Sequence, residues 1–272
     1  MKKSLALAAM ALLAVAPQSI GQTMIGKNEI TLKSDLMTPE ALWAMGRIGG
    51  AQASPDGKLV VYRVAYYSVQ ENKGHHTLFV SNADGTNKKQ LTTTAENETD
   101  AAWIENGRRI AFLTKGQLWS MNPDGSDRKQ LTRSATDIEG FKFSPDGKKV
   151  ILVKSIKYTG VIQANPTDLP KATGRKVTDL MYRHWDHYVE SIQHPFVADV
   201  QADGITEGKD ILEGEPYECP MEPFGGVEQL AWSPDSKTIA YTCRKKTGRE
   251  YSISTDSDIY LYELATGKTT NL

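Results

Sequence analysis

A short polar turn followed by alternating apolar residues recurs along the chain, and it constrains the fold more than any other feature. The turn has the form Ser-Pro-Asp-Gly or a close variant. Proline fixes φ, aspartate bonds the backbone that follows it, and glycine accepts a positive φ, so the chain reverses direction. Apolar residues at every second position then predict a strand. The copies lie at 53–62, 143–152 and 232–241, with a degenerate copy at 103–112.

A second repeat lies between the copies of the first. Residues 82–92 match residues 122–132 without a gap, and 263–272 is a looser copy. Each follows a run typical of a strand, so one unit contains several short strands and two turns. Two motifs recurring in step every forty or so residues indicate the blades of a β-propeller. We therefore predict an all-β fold over 51–272, an incomplete propeller of about four four-stranded antiparallel blades.

The regular spacing breaks once. After the third unit begins, residues 156–228 carry no copy of either repeat, and the next copy comes about two repeat lengths later. We interpret 156–228 as an irregular insertion or a strongly modified blade. Long insertions in propellers lie on loops, where function is often located.

Residues 1–21 have the order of a secretory signal peptide. Lys2 and Lys3 precede an apolar core at 5–16, which is too short for a permanent membrane span. An uncleaved anchor is the alternative. With a Gram-negative source, export predicts a periplasmic or secreted protein with no membrane span after signal removal. Residues 22–50 then form an N-terminal segment with a short helix at 38–46, capped by Thr38 and begun by Pro39.

Composition narrows the range of partners. The net charge of −1 does not suggest a nucleic-acid partner, which would favour a basic surface. No cofactor motif is present. Cys219 and Cys243 are the two cysteines; export permits a disulfide, but we favour two free thiols because Cys243 falls on the apolar face of a predicted strand.

Residues 1–272 contain no Gly-x-Ser-x-Gly elbow and no arrangement typical of a catalytic triad, so no catalytic residue is assigned. His184 and His187 flank Asp186 at a spacing that could put both imidazoles on one helical face if the segment were a helix. A third strong ligand at a known spacing is missing. We therefore predict no metal site and favour a polar, aromatic edge of the insertion.

Residues 207–223 form an acidic loop that contains five glutamates among prolines and glycines. Carboxylates on a stiffened loop can hold an ammonium group by charge-assisted hydrogen bonds. The alternative is a solvated acidic loop, and the residues alone favour that alternative.

The repeats and the insertion motifs together resemble the prolyl oligopeptidase family of exported serine peptidases. The specific motifs are those at 172–186, 208–217, 244–248 and 254–260, and they are closest to the bacterial dipeptidyl-peptidase-five branch of that family. The resemblance extends from about residue 38 to residue 272. It implies an N-terminal propeller that covers a C-terminal α/β-hydrolase domain and admits peptides from which dipeptides are released.

The resemblance also sets expectations for this chain. The C-terminal α/β-hydrolase domain is absent from residues 1–272, so we expect the chain alone to be inactive and to gate and orient peptide substrate only in a full-length parent protein. The alternative is a non-catalytic periplasmic propeller of the Tol type that binds a protein partner, although its repeat would be regular. An incomplete propeller has open sheet edges, which favour poor solubility or association, for example as a dimer.

Finally, the resemblance suggests where a substrate amino terminus would bind. Enzymes of this family bind the free α-ammonium group with glutamates from a propeller insertion, and in one branch the two glutamates are adjacent. Here the nearest match is Glu213 and Glu215, separated by Gly214, with Tyr217 beside them. We predict these three residues as the site that binds the substrate amino terminus.

Overall fold

A computed structural model describes residues 24–158, 162–163 and 168–272. The predicted signal peptide, residues 1–21, lies outside the described residues. No helix in the described ranges is long and apolar enough to cross a bilayer.

Four antiparallel sheets follow one another along the chain, and in the first, second and fourth the strand order is the chain order. The predicted all-β, incomplete propeller is confirmed. The first blade contains β1 to β4, at Arg47–Ala53, Leu59–Ser68, Lys73–Asn82 and Lys89–Gln90. The second contains β5 to β8, at Thr99–Ile104, Arg109–Thr114, Gln117–Met121 and Lys129–Gln130, with a 3₁₀ turn at Glu105–Gly107.

The third blade is interrupted between its second and third strands by residues 158–190, which we call the excursion. Its first two strands are β9 and β10, at Ile138–Phe143 and Lys149–Lys157. Two small hairpins follow, formed by β11 to β14 at Ile162–Gln163, Lys176–Val177, Arg183–His184 and His187–Tyr188. The blade then resumes with β15 to β17, at Ser191–Gln201, Gly204–Ile205 and Lys209–Asp210.

The fourth blade contains β18 to β21, at Leu230–Trp232, Thr238–Cys243, Asp258–Glu263 and Thr269–Asn271. A 3₁₀ turn at Val227–Gln229 leads into it, and helix α2 at Glu250–Ile253 interrupts the connection from β19 to β20. The predicted N-terminal helix is also confirmed and precedes the first blade. This helix, α1 at Pro39–Ala44, has Thr38 as its N-cap, whose Oγ1 accepts a hydrogen bond from the backbone of Ala41.

The predicted insertion bounds, 156–228, are too wide. Strand β15 pairs with β10 over nine residue pairs, from Lys149 opposite Asp199 to Lys157 opposite Ser191. Residues 191–210 are therefore blade strands, and two shorter connections remain, at 158–190 and 211–229. The first blade also begins at Arg47, inside the predicted N-terminal segment 22–50.

In the three Ser-Pro-Asp turns, of the first, third and fourth blades, the serine and aspartate bond to each other and to the backbone. In the third blade, Ser144 Oγ donates to Asp146 Oδ1 at 2.7 Å and accepts from the Lys149 amide at 3.0 Å. Gly147 has a φ of 69°, which other residues rarely adopt. The serine hydrogen bond lowers the pKa of Asp146, and the Lys148 amide adds to the effect. The turn is thus closed by its own side chains.

The core lies between neighbouring blades, because middle strands bury both faces. In β6, Ile110 and Phe112 pack toward the first blade, whereas Ala111 and Leu113 pack toward the third. The side chains of β10 alternate in the same way, with one face packed toward the second blade and the other toward the fourth. Period-two alternation therefore builds one apolar layer per pair of blades.

Antiparallel pairing gives the propeller two distinct ends. The first-to-second and third-to-fourth strand turns of every blade lie at one end, which contains all copies of the repeated turns. The second-to-third strand connections and the connections between blades lie at the other. The segments 158–190, 211–229 and 244–257 therefore share one end, which we call the insertion end.

Candidate functional site

Three segments of the insertion end contact one another through buried and half-buried polar groups. His184 Nε2 lies 2.8 Å from Glu218 Oε2. The Gly248 amide donates to Asp179 Oδ2 at 2.6 Å, which joins 244–257 to the excursion. Lys245 Nζ donates to Glu215, so the connection 211–229, which carries most of the acidic loop, contacts both of the other segments.

The two histidines lie on a β-hairpin and not on the helical face that their spacing allowed. His184 and His187 are directly paired across β13 and β14, with ring centroids 6.0 Å apart. His184 is buried against Glu218, whereas His187 is exposed beside Asp186, with Nδ1 and Oδ1 2.9 Å apart. The Asp186 carboxylate accepts a hydrogen bond from the His187 ring, and this bond raises the pKa of His187. Within the described ranges, no group of three or more His, Cys, Asp or Glu side chains is placed to hold a metal ion.

Glu218 is the most deeply buried acidic residue of the acidic loop. It is 3% exposed, and its Oε1 has no hydrogen-bond partner among the described residues. Tyr158 and Tyr251 lie close by: burial raises the pKa of both hydroxyls, and the charge of Glu218 adds to each shift. Burying a carboxylate without a hydrogen-bond donor costs free energy, so the buried position of Glu218 depends on its pairing with His184.

The structure brings two of the three predicted site residues together. Glu215 accepts a hydrogen bond from Lys245 Nζ, and the ring centroid of Tyr217 lies 5.7 Å from the same nitrogen. Tyr260, on β20, places its ring 4.6 Å from that nitrogen. Glu213 lies in the preceding turn, with its side chain exposed. We call Glu215, Tyr217 and Tyr260 the ammonium cage, because they surround a –NH₃⁺ group.

Sequence reasoning missed Lys245 and Tyr260. Lys245 follows β19, and Tyr260 lies 15 positions later on the neighbouring strand, so only the pairing of Tyr260 with Tyr241 brings it toward the acidic loop. The stacked rings of Tyr241 and Tyr260, 5.3 Å between centroids, form part of the core between the third and fourth blades. Burial raises the pKa of Tyr260 to about 12, with added effect from Asp258. The ring is therefore neutral at physiological pH.

Both cysteines are buried free thiols, as favoured from the sequence. Cys243 Sγ donates to the Glu218 carbonyl at 3.4 Å, which fixes the acidic loop to the end of β19. Burial raises the pKa of Cys219 well above the usual value and that of Cys243 to about 12. Neither thiol is suited to act as a nucleophile.

Comparisons with known proteins agree with this architecture. No protein-family model matches the chain. Over 262 residues the chain is 49% identical to dipeptidyl-peptidase 5 of Porphyromonas gingivalis, a match that covers 95% of this chain and 38% of the relative. Over 272 residues it is 47% identical to dipeptidyl-peptidase 5 of Porphyromonas endodontalis, covering 98% of this chain and 39% of the relative. The predicted resemblance to dipeptidyl-peptidase 5 is confirmed.

The chain thus spans 38% and 39% of the length of these two relatives. Among solved structures, the acylaminoacyl peptidase of Pyrococcus horikoshii superimposes with a TM-score of 0.57 at 14% identity, over 85% of this chain and 33% of that chain. At this identity the likeness concerns the fold alone.

Proposed function

We propose that this chain is the β-propeller part of a serine-type dipeptidyl peptidase and that it gates and orients peptide substrates for the hydrolase domain of the complete protein. The observation that carries the proposal is the 49% and 47% identity to two dipeptidyl-peptidases 5 over nearly the whole chain. The partner implied is a peptide with a free amino terminus.

The insertion end supports this proposal through its chemistry. A dipeptidyl peptidase must bind the α-ammonium group of its substrate so that cleavage falls two residues from it. The ammonium cage offers a carboxylate oxygen from Glu215 and the ring faces of Tyr217 and Tyr260, both of which attract a cation. We assign the main ammonium contact to Glu215. Glu213, exposed on the turn before it, has a lesser role.

We extend the proposal to location. The basic residues Lys2 and Lys3 and the apolar run that follows them support export, so the mature protein is periplasmic or secreted. Expression in a Gram-negative host, followed by intact-mass analysis of the periplasmic fraction, tests this. The expected mature chain begins near Gln22, whereas a periplasmic chain that retains Met1 would contradict a cleaved signal.

A chimera tests the proposed function. In the chimera, residues 24–272 replace the matching stretch of the Porphyromonas gingivalis relative, and the unmodified relative serves as the control. We expect the chimera to release dipeptides from a peptide with a free amino terminus and to leave the N-acetylated peptide uncut. A folded chimera that cuts neither peptide, or that cuts both equally, would overturn the proposal.

A further inference from the structure

The ammonium cage is occupied by a side chain of the same protein. Lys245 Nζ donates to Glu215 Oε2 and faces the rings of Tyr217 and Tyr260. The side chains of Lys245 and Glu215 are 19% and 33% exposed, so the contact lies at the edge of the fold and remains open to water. The cage therefore holds a –NH₃⁺ group with a carboxylate and two aromatic rings at a solvent-accessible position, as a site for a peptide amino terminus would.

The placement is specific to Lys245 among three consecutive basic residues. Arg244 stacks over the ring of Tyr251 at 4.5 Å, and Lys246 pairs with Asp256 at 3.4 Å. Lys245 could also extend into solvent, because a lysine side chain is long and flexible and its charge is ordinarily hydrated. In the structure its ε-ammonium lies in the cage instead.

We infer that Lys245 is a built-in competitor for the substrate amino terminus: its ε-ammonium fills the cage when no peptide is bound and moves to solvent when a peptide enters. This inference rests on the proposed function. A site that is open for only a fraction of the time binds its ligand more weakly by that fraction. Lys245 therefore lowers the affinity for amines and favours peptides whose remaining contacts compensate for its displacement.

The inference makes a prediction that a purely structural ion pair does not make. Lys245→Met removes the competing charge and keeps the apolar stem of the side chain. If Lys245 is a competitor, this change strengthens binding of a ligand with a free amino group, by about tenfold for a cage that is open one-tenth of the time. If Lys245 only stabilises the loop, the change weakens binding or leaves it unaltered.

Isothermal titration calorimetry on the full chain tests this with alanyl-alanine amide and its N-acetylated form as probes. We expect Lys245→Met to bind the free amine about tenfold more tightly than the parent chain, with no gain for the acetylated probe. Adding Glu215→Gln should abolish the gain. Lys246→Met, the neighbouring lysine outside the cage, should behave like the parent, and Lys245→Arg should keep the cage closed.

Lys245→Gln provides a second neutral variant if Lys245→Met does not fold. Unchanged or weaker binding by the folded neutral variants, no binding by either, or an equal gain for both probes would overturn the inference. Its failure is distinguishable from failure of the proposed function. An active chimera with no gain from Lys245→Met leaves the function standing, whereas an inactive chimera with a clear gain leaves only the amine site.

Discussion

His184 and Glu218 form a buried pair, with Nε2 and Oε2 2.8 Å apart, that joins the hairpin of the excursion to the acidic loop. Both side chains are less than one-tenth exposed. The pair places the loop that carries Glu215 over the junction of the third and fourth blades. The position of the ammonium cage therefore depends on a contact between residues 34 positions apart in the sequence, in segments outside the blades.

Removing Glu218 should destabilise the chain strongly. Glu218→Ala leaves His184 buried without its partner, and breaking a buried pair in this way costs about 3 kcal/mol or more. Glu222→Ala is the matched control, because Glu222 contacts the exposed His187 at 3.4 Å and such a pair contributes about 1 kcal/mol or less. Urea unfolding measures both. Equal losses would show that the buried pair does not fix the loop.

The charge on His187 should depend on Asp186. The His187 ring donates a hydrogen bond to Asp186, and this bond, with a smaller contribution from Glu222, raises the pKa of His187 above its ordinary value of 6.5 in the folded state. A raised pKa means that this pair stabilises the fold below pH 6.5 and that the contribution disappears as pH rises through the raised value. Because both groups are exposed, the stability effect is small, and ring titration by NMR is the better measurement.

In that titration, Asp186→Asn should return the pKa of His187 toward 6.5, and Glu222→Gln should lower it less. The reverse order of effects would show that Glu222 is the main partner of the ring.

The two thiols should react only when the protein opens. Burial raises the pKa of Cys219 and Cys243, so little thiolate forms at pH 8, and neither sulfur is accessible. Labelling with a disulfide reagent in increasing urea should follow the unfolding curve for both cysteines. Rapid labelling of either thiol without denaturant would contradict the burial of the acidic loop against β19.

The blades could be predicted from the sequence because their turns and strands are determined by residues close together in the chain. The Ser-Pro-Asp turns of the first, third and fourth blades are closed by their own serine and aspartate, as at Ser144 and Asp146. Apolar residues then alternate along the strands with a period of two. The predicted insertion included strands of the third blade, because the excursion separates the two middle strands of that blade. Asp203-Gly204 lies at its last turn, as Asp84-Gly85 and Asp124-Gly125 do in the first two blades, and would have located β15 and β16.

The candidate site was only partly predictable, because its contacts are not local. Glu215 and Tyr217 stand in one acidic loop and were found together, but Lys245 and Tyr260 reach them only through the packing of the fourth blade. The period of the two histidines suggested a helix, whereas a two-residue turn at Trp185 and Asp186 forms a hairpin. Neither composition nor spacing indicates that Glu218 is buried and paired with His184.

The most direct test of the account compares Glu215→Gln with Glu213→Gln in the chimera, by kcat/KM on a dipeptidyl substrate with a free amino terminus. Glu215 holds an ammonium group by a charged hydrogen bond, which contributes about 1.5–3 kcal/mol. Glu215→Gln should therefore lower kcat/KM by about ten- to a hundredfold. Glu213→Gln, one turn away and exposed, should stay within about threefold of the parent, a difference below 1 kcal/mol. If Glu215→Gln retains the parental kcat/KM, the cage does not bind the substrate amino terminus.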